Sequence, residues 1–364
     1  MAILQHLIYA SGYATAAQPG IHAFHFDGPS GELLPRWSFA GIANPSFILS
    51  HPNGRWLYAV SETSQAQDGV SGGVWALALA DQERAPEKLN QRMSGGDWPC
   101  HLALDASGRW LLVSNYGSGN LSVFPILEDG KLGEMTDLIQ HHGSGPNAER
   151  QEGPHVHSAI FSPDNRFVFV ADLGIDQIVS YTLDTTTGKL HQYGETHTAP
   201  GSGPRHMTFH PNGQHFYVAS ELANTVTMYD YHAENGTLSE QQTLSTLPPD
   251  APENTVADIH FSPDGRLLYV SNRGHDSIAT YTVAESGQLE LLSIKPCGGR
   301  GPRNFAVSPE GAYLLVANQQ SNRLVVLECV AGEPVNVAAP LARAVGSLQV
   351  EISGASCVQF VPRI

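Results

Sequence analysis

The chain has 364 residues, 41% of them hydrophobic and only 15% charged, with 36 Gly and 24 Pro, enough apolar residue for a large core in a turn-rich composition that fits an all-β protein. Its formal net charge is -16, from 35 acids against 19 bases, with no run of Lys or Arg, which argues against nucleic acid and anionic membrane surfaces as partners. No apolar run approaches the roughly 20 residues of a membrane helix, and the start MAILQHLIYASGY lacks the basic and apolar regions of a signal peptide.

In chain order, His6 to Tyr13 and Gly20 to Phe26 read as two strands. A strand, turn and strand follow in SFILSHPNGRWLYAVSE from Ser46, and the pattern returns from His101, His157, Gly203, Ala257 and Asn304. The fullest copy is GPRHMTFHPNGQHFYVASEL, Gly203 to Leu222, where Pro211 fixes φ and Asn212-Gly213 supply the residues of a tight hairpin turn. With the turn residue as origin, the copies align on Gly54, Gly108, Asn165, Gly213, Gly265 and Gly311, a blade-length period. Each hairpin is followed by a third strand, such as QIVSYTLD or TVTMYDYH, and a less regular fourth.

Four strands per unit without helical periodicity predict a β-propeller. The two N-terminal strands supply the second and third strands of a seventh unit, and Ser356 to Val361 its first. The expected architecture is a seven-bladed propeller of four-stranded antiparallel blades, one domain over 1–364, with one blade closed by both termini. The longest irregular pieces, His141 to Pro154 and Pro248 to Asn254, run into first strands and are expected at the mouth of the ring or as plain surface connections.

Cys100, Cys297, Cys329 and Cys357 are far apart and form no CxxC pair, so neither a zinc site nor a disulfide framework is indicated and a cytoplasmic location is expected. The glycine-rich stretches near Gly143, Gly201 and Gly298 lead into strands, whereas a phosphate-cradling loop should open a helix. No nucleophile-elbow motif occurs around Ser114.

Residues equally distant from a hairpin turn lie side by side, so the start of the first strand and the end of the second share one end of the blade. Eight residues before the origins stand Ser46, Cys100, His157, Arg205, Ala257 and Arg303; eight after stand Glu62, Tyr116, Leu173, Glu221, Arg273 and Gln319. First strands surround a propeller axis, so Glu62, His101, His157, Arg205, His206, Glu221, Asp258, Arg273 and Arg303 should ring one mouth, with His260 a lining or packing residue. Three arginines there suit the carboxylate or phosphate of a small ligand; alternatively Arg205 pairs with Glu221 and Arg273 with Asp258 as structural cross-strand pairs. Arg303 has no evident acidic partner. His157 faces Leu173, which would keep its imidazole neutral. His155 and His157 alternate along a strand, which argues against a shared metal.

The motifs HSAIFSPDNR from His157, GPRHMTFHPNG from Gly203, SEL from Ser220, ADIHFSPDGR from Ala257 and SNR from Ser271 resemble the lactonase family of seven-bladed propellers, which includes propeller-type 6-phosphogluconolactonases and carboxy-muconate cyclases. The resemblance spans essentially the whole chain. It implies a metal- and cofactor-independent lactone hydrolase acting on a small anionic lactone, most readily 6-phosphogluconolactone, with His157, Arg205, Glu221 and Arg273 as catalytic residues. His206, Arg303, Asp258, Glu62, His101 and His260 would bind substrate. A lactonising cycloisomerase using the same site and a non-catalytic binding propeller are the alternatives, and the oligomeric state, monomer or weak dimer, is open. The extra His155 and the long loop before it differ from the phosphogluconolactonase pattern. Glu221, beside Arg205, should be too acidic for a good base, which favours His157.

Overall fold

The computed structural model describes residues 5–81, 83–336 and 348–361. Its strands form seven antiparallel sheets, six of which take four consecutive segments in order, one of them with a short fifth strand, Gln349–Glu351, paired to its third. The remaining sheet joins Ala355–Val361 to Gln5–Gly12, then Pro19–Asp27 and Glu32–Ala40. The expected seven-bladed propeller, closed by both termini, is therefore the observed fold. The first strand of every blade touches that of the next, all the way round.

The middle strands, such as Trp110–Asn115 and His215–Ser220, are buried along their whole length, so successive side chains pack on both faces of each blade, and seven hydrophobic clusters fill the seven interfaces between neighbouring blades. One example packs Phe169, Ala171 and Ile178 of the His157 blade against Met207, Phe216 and Tyr229 of the next. No lone blade could bury both faces, so closing the ring completes the core.

All six turn origins have left-handed backbone, from Asn165 at φ 59° to Gly265 at 74°. One such residue per turn, with Gly213 N–H donating to His210 O at 2.8 Å, describes a longer hairpin loop than the two-residue Asn-Gly turn expected at 212–213.

The pairing differs from the ungapped register in a way that positions the site. Pro99 pairs with Asn115 and His101 with Ser114, which skips Cys100; the same slip skips His157, Arg205 and Arg303. These residues occupy β-bulges, which bend a strand and re-aim a side chain. His157 therefore has no cross-strand partner, and Leu173 instead donates its N–H to His155 O at 3.0 Å.

Candidate active site

A cavity of about 400 Å³ opens at one mouth of the ring. Its walls include His157, Glu221, Arg273, Arg303 and Glu62, all placed there by the repeat, and Arg150, which comes from the 141–154 loop. A helical turn at Gln65–Asp68, capped by Ser64 through its Oγ, adds Gln67 and Asp68 to the wall.

Glu221 is the hub. Its Oε2 accepts from Arg205 Nε at 2.9 Å and Arg273 Nη2 at 2.7 Å, and its Oε1 from Arg150 Nη2 at 2.6 Å. Burial opposes ionisation of Glu221, but Arg273, Arg205 and Arg150 outweigh it and hold the carboxyl well below the usual carboxylate range. Three guanidiniums thus face one buried carboxylate, an excess of two positive charges.

The four arginines differ in what they can reach. Arg205 is buried beneath the cavity and absent from its wall; its Nη1 donates to Ala257 O at 2.6 Å. Arg273 lines the wall and also donates to Val256 O at 3.0 Å; its acidic partner is Glu221, on the neighbouring blade, and not the expected Asp258. Arg303 does have an acidic neighbour, Glu62 at 3.8 Å, and lies over the Tyr13 ring. The hydroxyl of Tyr13 in turn donates to Glu62 at 2.8 Å.

His157 stands edge-on to Tyr116 and His206, with ring centroids 5.6 and 5.3 Å away. Its Nδ1 is buried without a hydrogen-bond partner. Burial, reinforced by Arg205, His206 and Arg303, pushes its pKa well below the ordinary histidine value, so the ring is neutral. His155 lies elsewhere, stacked on Tyr116 at 4.4 Å. Cys100 also touches the cavity, but burial raises its thiol to about 12, far from a reactive thiolate.

The other expected residues lie off this cavity. His206 borders a void of about 10 Å³ with Arg205 and Arg303, room for one water at most. His101 sits between Phe47 and His206. Asp258 accepts from His206 Nδ1 at 2.7 Å, His260 Nε2 at 2.8 Å and Asn304 Nδ2 at 2.5 Å. Burial drives the His206 pKa down to about 4 despite that carboxylate. Among the described residues no group of three or more His, Cys, Asp or Glu is arranged to hold a metal ion.

Arg150 and Tyr116 were the site residues least evident beforehand. Tyr116 occupies the same repeat position as Glu221, so register alone could have marked it. Arg150 belongs to a loop read either as a border of the mouth or as a plain surface connection, with no repeat to single it out.

The fold and site together define a propeller with a charged, arginine-rich pocket at one end of its axis. The family model "Lactonase, 7-bladed beta-propeller" matches residues 7–337, and the chain belongs to that family. It is 36% identical over 326 residues to a 6-phosphogluconolactonase of Bacillus subtilis, covering 89% of this chain and 91% of that one. A Formosa agariphila 6-phosphogluconolactonase is 38% identical over 313 residues, 84% of this chain and 87% of the relative. Among solved structures, the periplasmic gluconolactonase PpgL of Pseudomonas aeruginosa superposes with a TM-score of 0.89 at 30% identity, covering 98% of this chain and 99% of that one.

Proposed function

We propose that the protein hydrolyses 6-phosphogluconolactone to 6-phosphogluconate. The observation that carries this reading is the excess of positive charge around Glu221 beside a neutral His157. Buried charge in excess of its counter-charge is costly, and a phosphate monoester, which carries about -1.5 to -2 near neutrality, offsets the surplus left by the buried Arg205 and Arg273 and the part-exposed Arg150.

In this reading a water attacks the lactone carbonyl carbon as His157 accepts its proton. Arg273, on the cavity wall, stabilises the oxyanion. Collapse breaks the ring C–O bond, and the proton held by His157 passes to the departing oxygen, leaving a carboxylic acid and a hydroxyl. Burial first, and then the nearby arginines, penalise the cationic form of His157. A bound dianion offsets their field and raises the basicity of His157 when it is needed. Glu221 is too strongly held by arginines to take a proton, and with Arg205 beneath the cavity it positions Arg273 and Arg150.

Four unpaired cysteines support a reducing, cytoplasmic setting, which cell fractionation would test. Comparing phosphorylated and unphosphorylated gluconolactone as substrates tests the reading itself. The expected result is a higher kcat/KM for the phosphorylated compound; acceleration of the unphosphorylated lactone alone would overturn it.

A further inference from the structure

The four arginines around the cavity are not equivalent, and their differences separate the group that holds a carbonyl from the group that holds a phosphate. Arg205 and Arg273 come from strands and spend donors on Glu221 and on backbone carbonyls. Arg303 is matched by Glu62 and Tyr13. Arg150 alone rides on a loop, with 38% of its side chain accessible, and the described bonds of its guanidinium all leave from Nη2, to Glu221 and to the Tyr116 hydroxyl at 3.4 Å.

Its loop is nevertheless fixed at the base. The neighbouring Gln151 is wholly buried and donates to Leu173 O at 2.8 Å and Asp176 Oδ1 at 2.7 Å. His141, at the start of the loop, bonds Asp172 at 2.8 Å. Near the end of the loop, a Cβ at Gly174 would lie 1.9 Å from Gly153 O, so the chain there is in close backbone contact. A held backbone thus carries a side chain with donors to spare.

Arg150 also stands between two cavities. A second, open groove of about 790 Å³ adjoins the first, edged by the 248–254 loop and by Asn147, Asn224 and Asn254; Arg150 is the residue the two walls share. The groove is also edged by Glu149 and Glu253, so Arg150 is what offers an anion a cationic contact where groove and cavity meet.

We propose that Arg150 is the residue that reads the phosphate of the substrate, turning its fork from Glu221 towards the phosphate oxygens while Arg273 stays on the reacting carbonyl. The assignment rests on the phosphogluconolactone reading given above. Bidentate guanidinium-phosphate contact supplies geometry as well as charge, which a lysine cannot reproduce.

The test is R150Q and R150K, assayed on 6-phosphogluconolactone and on unphosphorylated gluconolactone, with calorimetric titration of inorganic phosphate into each protein. We expect R150Q to lose at least about tenfold more kcat/KM on the phosphorylated lactone than on the other, the size of one lost charge-assisted contact. R150K should fall between, and phosphate binding should weaken by a similar factor in R150Q. Equal losses on both lactones would make Arg150 a support for Glu221 and overturn the proposal. If the wild type accelerates neither lactone, the reading of function fails, and the phosphate titration still judges Arg150: equal binding by wild type and R150Q, or none by wild type, overturns it.

Discussion

Two buried carboxylates stand near the axis of this ring, and their company differs. Glu221 is surrounded by Arg150, Arg205 and Arg273; Asp258 by His206, His260 and Asn304. The first cluster is over-compensated and borders a cavity large enough for a small ligand. The second is hydrogen-bonded on both oxygens and joins three successive blades. A carboxylate whose bonds are satisfied within the protein fixes structure, while one left with surplus cations organises a site for an anion.

Both clusters depend on the closed ring, so the largest effect should come from opening it. Deleting the chain from Ser356 onwards removes the strand that joins the terminal blade and the interface packing of Val358 and Cys357. We expect loss of cooperative thermal unfolding; an unchanged melting curve would refute closure as the source of stability, and with it the proposal that 1–364 is one domain.

Substitution at the mouth should next separate chemistry from folding. His157→Gln is expected to lower kcat by about 10² to 10⁴, the usual range for a general base, with KM within a few-fold. Wild-type turnover in this variant would remove His157 from the mechanism. Glu221→Gln should lower kcat/KM by about 10² to 10³ and unfolding free energy by about 3–5 kcal/mol, because three guanidiniums lose their buried counter-charge. Asp258→Asn should differ in its kinetics: stability falls by a comparable amount, about 3 kcal/mol, but turnover by no more than about tenfold. Equal kinetic losses in the two carboxamide variants would erase the distinction between the two carboxylate clusters.

The smallest effect concerns pH. His157, His101 and His206 all have folded pKa values below the unfolded value, by burial first and then by neighbouring cations, with His206 at about 4. Between those values and about 6.5 the unfolded chain binds protons that the native ring refuses, so these three histidines make stability fall as pH drops through that window. His260 has the opposite sign. Burial opposes its charge but Asp258 raises its pKa, so its contribution is present below about 6.5 and lost as pH rises through its folded value. With three groups against one, melting temperature should decline from pH 7 to pH 5, and less steeply in His206→Gln. A rise over the same range would contradict the neutral assignment of the three rings.

The blades were legible because a propeller repeats local chemistry: a left-handed turn residue, two apolar runs and a third strand recur with each period. Arg205 beside Glu221 was legible for the same reason, since both sit at fixed distances from Gly213. Sequence spacing does not reveal β-bulges, which arise when strands pair, so the supposed contact of His157 with Leu173 was lost. Partners across blades were hidden as well: Arg273 meets Glu221, and Arg303 meets Glu62, through the curvature of the ring. Arg150 lies on a loop without periodicity, and only its distance to Glu221 marks it.

The most direct measurement is the rate of acid release from 6-phosphogluconolactone by purified wild-type protein and His157→Gln, each with and without a chelator. The wild type should accelerate hydrolysis well above the spontaneous rate, equally in both conditions, and the variant should lose about 10² or more of that acceleration. No acceleration by wild type, or an acceleration abolished by the chelator, would contradict a metal-independent lactonase built on His157 and the arginines around Glu221.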